Sequence, residues 1–162
     1  MDNLVKAAVA LGSNVGNRCA HLDEAVVKLR PLLRAIKVSR YYETEPVGVS
    51  GPQPLFLNAA VVGETAQSAS EFLAAILAIE TQLGRERPFA NAPRTIDLDL
   101  VLFGNQMIDE PGLMVPHPRF RERQFVLEPL AEIAPDMVDP LTGKTVGELL
   151  KFLLEPQRFD GV

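Results

Sequence analysis

Apolar and polar positions change period along the chain, and each change marks an element. Val5, Ala7, Val9 and Leu11 alternate with their neighbours and predict a first strand over Val5–Leu11. Gly12-Ser13-Asn14-Val15-Gly16-Asn17 is rich in residues that tolerate positive φ and reads as a tight turn. Leu22, Ala25, Val26, Leu29 and Leu33 then keep helical spacing, with Pro31 marking an end or a kink. Alternation returns over Ile36–Glu43, with Ile36, Val38, Arg40 and Tyr42 on one side. Pro46–Pro54 holds three prolines and two glycines and reads as a long loop, and Leu57–Glu64 is a further strand. Ser68-Ala69-Ser70-Glu71 is a capping box that opens a helix through Phe72, Ile76, Ile79 and Leu83, closed by Gly84 at C′.

The second half repeats the logic. Arg85 to Pro93 is a loop, and Pro93–Phe103 reads as a strand whose Ile96, Leu98, Leu100 and Leu102 face the core. Gly104-Asn105 predicts a hairpin-type turn, with a short strand near Met107-Ile108. Pro116–Arg123 is basic and broken by proline. Val126–Ile133 is helical, with Pro129 placed in a first turn, and Thr145–Leu154 is a last helix with Val146, Leu149, Leu150 and Leu153 inward. The order strand, helix, strand, strand, helix, strand begins like a split βαβ arrangement. The expected class is α+β: a ferredoxin-like α/β sandwich, its mainly antiparallel sheet covered by helices, in a single domain over 1–162.

Composition narrows the function. The 162 residues are 47% hydrophobic and 23% charged, ordinary for a globular domain. A net charge of −5 and a pI near 5.1 argue against nucleic acid and against anionic membrane as partners. No apolar run approaches the ~20 residues a membrane span needs, and the N-terminus lacks a signal-peptide layout. The single cysteine, Cys19, excludes an intramolecular disulfide and reads as a small buried hydrophobe. A cytoplasmic location is expected.

The chemistry concentrates on the predicted strand Pro93–Phe103. Asp97 and Asp99 alternate with its apolar residues and so lie side by side on the opposite face. Two such carboxylates repel unless a cation lies between them, and Mg²⁺ is typically held by one or two carboxylates together with substrate phosphates. Arg85, Arg87 and Arg94 bracket a Pro/Ala/Asn-rich segment upstream of the aspartates, and guanidinium groups bind phosphate oxygens in pairs. Arginines with paired aspartates suit a nucleoside triphosphate. The Gly12 turn carries neither a Walker A lysine nor G-x-G-x-x-G, so it reads as structural. His117, stiffened between Pro116 and Pro118, suits a positioned donor to phosphate, whereas His21 looks like an ordinary surface residue. Asn58, with Phe56 and Phe125 as candidate aromatic neighbours, offers one acceptor and two donors to a flat heterocycle such as a pterin or purine.

Six blocks together resemble the 6-hydroxymethyl-7,8-dihydropterin pyrophosphokinases of folate biosynthesis. They are Ala10-Leu11-Gly12-Ser13-Asn14, Tyr42-Glu43-Thr44-Glu45-Pro46-Val47-Gly48, Phe56-Leu57-Asn58-Ala59-Ala60-Val61, Leu83-Gly84-Arg85, Pro93-Arg94-Thr95-Ile96-Asp97-Leu98-Asp99 and Val115-Pro116-His117-Pro118. The resemblance runs from about Val5 to Asp136. It implies transfer of diphosphate from ATP to the hydroxymethyl group of 6-hydroxymethyl-7,8-dihydropterin, giving AMP and the pterin diphosphate. It implies that Asp97 and Asp99 hold two Mg²⁺ ions and that Arg85 and Arg94 act with them in catalysis. Asn58, with Thr44 and Val47, would recognise the pterin edge, and Phe56 and Phe125 would sandwich the ring. Glu80, Arg85, Arg94, Leu100, His117 and Arg123 would contact ATP. A monomer is expected.

The chain departs from the family in three places. It has no tryptophan before Pro93, Met114 replaces a hydroxyl residue that some members carry, and Leu77 stands where some have glutamine. Two rival readings of the same residues remain. One is a metal-dependent phosphohydrolase, with water as nucleophile. The other is a non-catalytic ferredoxin-like module binding a small ligand or RNA, against which the acidic pI weighs.

Overall fold

The computed structural model describes residues 3–14, 16–44, 55–84 and 96–155. Its elements are β1 (Val5–Ser13), α1 (Arg18–Leu29), β2 (Arg34–Val38), β3 (Tyr42–Thr44), β4 (Phe56–Thr65), α2 (Ala69–Leu83), β5 (Asp97–Phe103), β6 (Ile108–Glu110), β7 (Leu113–Val115), α3 (Gln124–Ile133) and α4 (Val146–Leu154). The main sheet has the order β2-β4-β1-β5, with β3 also on β4, and every pairing is antiparallel. The expected α+β class and helix-covered antiparallel sheet are therefore observed.

Both faces of the sheet are buried. Ala7, Val9 and Leu11 meet α1 and α2 through Leu22, Phe72 and Ile76. On the other face Ala8, Ala60 and Val62 meet α3 and α4 through Leu127, Leu130 and Val146. Alanines on that second face let the helices approach closely. Asn17 caps α1 by accepting the Ala20 N–H at 3.1 Å. Ser68 with Glu71, and Thr145 with Glu148, form complete capping boxes at α2 and α4.

Several local expectations are corrected. Leu102 does not share a face with Leu98 and Leu100. A bulge between Ala8/Leu102 and Val9/Leu100 inserts Val101, so Val101 and Leu102 pack toward α3 and α4. Residues 36–43 are not one strand: the phase breaks after Val38, and Tyr41, not Tyr42, joins Ile36 and Val38 against the α1/α2 core. Gly12 lies inside β1, not in the turn, and Gly16 takes the positive φ of 62°. Gly84 is the C-cap residue itself, with φ −101°, and not the C′ residue. Gly104-Asn105 does not open a hairpin with β5, because β6 pairs with β7. Pro129 sits inside α3, beyond its first turn. Cys19 is exposed. Among the described residues, no helix is long and apolar enough to cross a membrane.

Arg121 belongs to the architecture. Its Nε and terminal nitrogen donate to Asp139 at 2.5 and 2.9 Å, and Asp139 is 0% exposed. Burial disfavours charge on Asp139. The Arg121 guanidinium, the Thr142 hydroxyl and the Leu141 N–H outweigh it and hold the carboxyl below its ordinary range. This pair ties the segment before α3 to the loop before α4. Arg121→Ala should lower the unfolding free energy by about 3 kcal/mol at neutral pH, because it strands a buried carboxylate. The pair's contribution is present above the ordinary carboxylate pKa and is lost as pH falls through the depressed one. Urea denaturation at pH 7 and in acid checks both; a neutral-pH loss near zero contradicts the assignment.

Candidate active site

Strand register assembles the site. Gly12 on β1 pairs with Asn58 on β4 and with Asp97 on β5, and Asn58 pairs with Tyr42 on β3. Thr44 pairs with Phe56, and Ala10 with Asp99. By the two-residue alternation, all these side chains rise on the face that carries α3 and α4, at one end of the sheet. Neighbouring strands are about 4.8 Å apart, so Asn58 and Asp97 stand roughly 10 Å apart with a residue lacking a side chain between them. A Cβ on Gly12 would come 3.1 Å from Asn58 Oδ1 and 4.0 Å from the Phe56 ring. Gly12 thus permits the close approach of the Asn58 side chain, a role its position inside an alternating strand could have signalled.

Asn58 is 5% exposed and donates from Nδ2 to Thr44 Oγ1 at 2.5 Å. Its amide is thereby oriented before any ligand arrives. Phe125, in the first turn of α3, is half-buried on the same side of the sheet, with the Arg123 guanidinium 5.6 Å from its ring centre. The expected pterin-side residues Thr44, Phe56, Asn58 and Phe125 therefore share one side of the sheet. Val47, Arg85 and Arg94 lie outside the described residues, as do Arg87 and the two proline-containing loops that carry them.

The open edge of β5 borders a second feature, a cavity of about 400 Å³. Leu77, Leu100 and Met114 line its apolar part, and Glu80, Asp99 and His117 its polar part. Leu77 and Met114, two of the three departures noted above, are 47% and 45% exposed on this lining. Glu80 accepts the Leu98 N–H at 2.7 Å, so it also fixes the start of β5. By alternation Leu100 turns its own N–H and C=O toward the same open edge. His117 donates its backbone N–H to Val101 O at 2.9 Å and accepts the Arg119 N–H at Nδ1 over 3.1 Å. The proton of the neutral ring is then on Nε2, leaving a donor for an anion. Burial lowers the His117 pKa, Asp99 raises it, and Arg123 and Arg119 lower it further; the net shift is downward. Asp99 stands at the boundary, on the sheet face that carries Asn58 and on the lining of the cavity at the β5 edge.

His21 is not an ordinary surface residue: its Nδ1 lies 3.2 Å from the buried Ser13 hydroxyl, beside Gly12. Arg121, placed by sequence among basic neighbours of His117, is committed to Asp139. Among the described residues, no group of three or more His, Cys, Asp and Glu forms a metal cage. Two carboxylates alone fit an ion whose remaining ligands are phosphate oxygens and water.

The chain is similar to known proteins over most of its length. The 7,8-dihydro-6-hydroxymethylpterin-pyrophosphokinase family matches residues 8–135. The 2-amino-4-hydroxy-6-hydroxymethyldihydropteridine pyrophosphokinase of Synechocystis is 41% identical over 148 residues, covering 90% of this chain and 74% of that protein. The enzyme of the same description from Bacillus subtilis is 47% identical over 135 residues, covering 82% and 79%. A crystal structure of a Plasmodium falciparum HPPK-DHPS triple mutant with SDX-DHP superposes with a TM-score of 0.75 at 17% identity, over 93% of this chain and 44% of that one. This chain thus spans less than half of that larger protein, and the likeness to it speaks for the fold. The chain belongs to the 7,8-dihydro-6-hydroxymethylpterin-pyrophosphokinase family and is a pyrophosphokinase of folate synthesis.

One electrostatic consequence is directly measurable. The His117 ring should titrate below its ordinary value of 6.5, with the neutral form protonated at Nε2. Because the folded state resists the proton, His117 should subtract stability as pH falls below that ordinary value. NMR titration of the ring nitrogens reads both, and a midpoint above 6.5 would contradict the arrangement.

Proposed function

We propose that residues 1–162 act as a single Mg²⁺-dependent pyrophosphokinase domain that moves the terminal diphosphate of ATP onto the hydroxymethyl oxygen of 6-hydroxymethyl-7,8-dihydropterin. The observation that carries this reading is the row Asn58–Gly12–Asp97 across three strands. The amide of Asn58 reads the pyrimidine edge of the pterin, with Thr44 holding that amide and Val47 adding a backbone contact. The ring lies over Gly12 between Phe56 and Phe125. Its hydroxymethyl group then points away from Asn58, toward Asp97 and Asp99.

ATP lies along the β5 edge, its base in the apolar part of the cavity beside Leu100 and Glu80. His117 and Arg123 contact the phosphates, and Arg85 and Arg94 stabilise charge that develops as the α–β bridge breaks. Asp97 and Asp99 are the residues that would hold two Mg²⁺ ions. Bound there, the ions would neutralise phosphate charge and lower the pKa of the attacking hydroxyl. The chain's own residues contribute positioning: they hold two flat substrates on two sides of one strand, with the reacting groups meeting at Asp99. We place the protein in the cytoplasm as a monomer, without nucleic-acid or membrane partners.

Asp97→Ala and Asp99→Ala should each lower kcat by at least about a thousandfold with an unchanged unfolding transition. AMP formation and thermal melts of the same samples check this, and an active Asp97→Ala protein would sink the metal-holding role. Gly12→Ala should raise the pterin KM about tenfold or more and leave the ATP KM near that of the parent, because the new methyl group crowds Asn58 Oδ1. Equal effects on both substrates would contradict the pocket.

A further inference from the structure

Glu132 sits in the last turn of α3, where its charge faces the negative end of the helix dipole. That placement works against the helix, so its contacts elsewhere carry the explanation. Glu132 Oε1 accepts the Tyr42 hydroxyl at 2.6 Å. Its two oxygens accept the Arg40 backbone N–H at 3.1 and 3.2 Å, and Arg40 Nε donates to Oε1 at 3.3 Å. The Arg40 guanidinium lies 5.5 Å from the Tyr42 ring centre and donates to the Tyr42 hydroxyl at 3.3 Å. A carboxylate, a phenol and a guanidinium thus join the tip of α3 to the entry of β3.

Tyr42 is the register partner of Asn58 and lies two residues before Thr44, which orients the Asn58 amide. Phe125 precedes Glu132 by seven residues, close to two helical turns or about 10 Å, so the two side chains leave α3 on nearly the same face. The Tyr42–Glu132 bond therefore ties the strand wall holding Thr44 and Asn58 to the helix holding Phe125. Pro129 lies between Phe125 and Glu132 and has no N–H for the Phe125 carbonyl. The turn that carries Phe125 has one internal bond fewer and leans more on ties outside the helix.

We propose that Tyr42 and Glu132 are positioning residues that set the width of the slot between Phe125 and the Phe56/Asn58 wall, and so set affinity for the flat pterin. The proposal rests on the pterin reading above and adds a pair outside the pocket to it. Tyr42→Phe removes one oxygen and keeps the ring. Its pterin KM should rise about fivefold to tenfold, the scale of one charge-assisted hydrogen bond. The ATP KM and kcat should stay within about twofold of the parent. Glu132→Ala should match it, the double variant should be no worse than the worse single, and Glu132→Gln, which keeps an acceptor, should recover most of the loss.

A bond that serves stability alone would lower the melting temperature of Tyr42→Phe and leave the pterin KM unchanged; that result, or an equal rise in both KM values, overturns the proposal. If Glu132→Ala fails to fold, Tyr42→Phe and Glu132→Gln decide. A parent protein that ignores the pterin removes the functional reading and this proposal together. A parent that uses the pterin beside an unaffected Tyr42→Phe removes this proposal only.

Discussion

Gly12 pairs with Asn58 on one side and with Asp97 on the other, and the site is laid out from that register. Slipping β1 by one residue against either neighbour would set its side chains against the opposite faces of Asn58 and Asp97. Two buried faces prevent the slip. Ala7, Val9 and Leu11 are held by α1 and α2, while Ala8 and Ala10 lie against the α3/α4 layer. The polar row appears only where this apolar alternation ends. The hydrophobic core thus fixes a spacing of about two strands between the Asn58 amide and the Asp97 carboxylate.

The edge position of β5 completes the design. A strand paired on one side only leaves backbone groups and a long border open. Here α2, the β6–β7 hairpin and His117 cover that border incompletely, leaving the cavity beside Leu100. One strand therefore separates this cavity from the face that carries Asn58 and Phe125, and Asp99 borders both. This geometry suits a reaction between two bound substrates whose reacting ends meet while their recognised ends stay apart.

Much of this was legible in the residues, for physical reasons that differ from place to place. The alternation of Asp97 and Asp99 with Leu98 and Leu100 is a local period and survives into the fold. The Ser68 capping box is a set of local hydrogen bonds, and its helix begins where those residues predict. Leu102 was not legible, because Val101, Leu102 and Phe103 are all buried and an apolar run gives no phase once a bulge intervenes. Gly12 reads as a turn residue because glycine marks turns, whereas its use here is close approach to Asn58. The bonds Arg121–Asp139 and Tyr42–Glu132 span 18 and 90 residues, and no periodicity reports such partners.

Juxtaposition of a pterin hydroxyl and the β-phosphorus of ATP beside β5 is read out by nucleotide product analysis: purified protein, ATP and Mg²⁺, with and without 6-hydroxymethyl-7,8-dihydropterin. AMP should appear only when the pterin is present, in equal amount with the pterin diphosphate. Formation of ADP, or of AMP without the pterin, would contradict the account and assign the carboxylates to water-mediated phosphate chemistry.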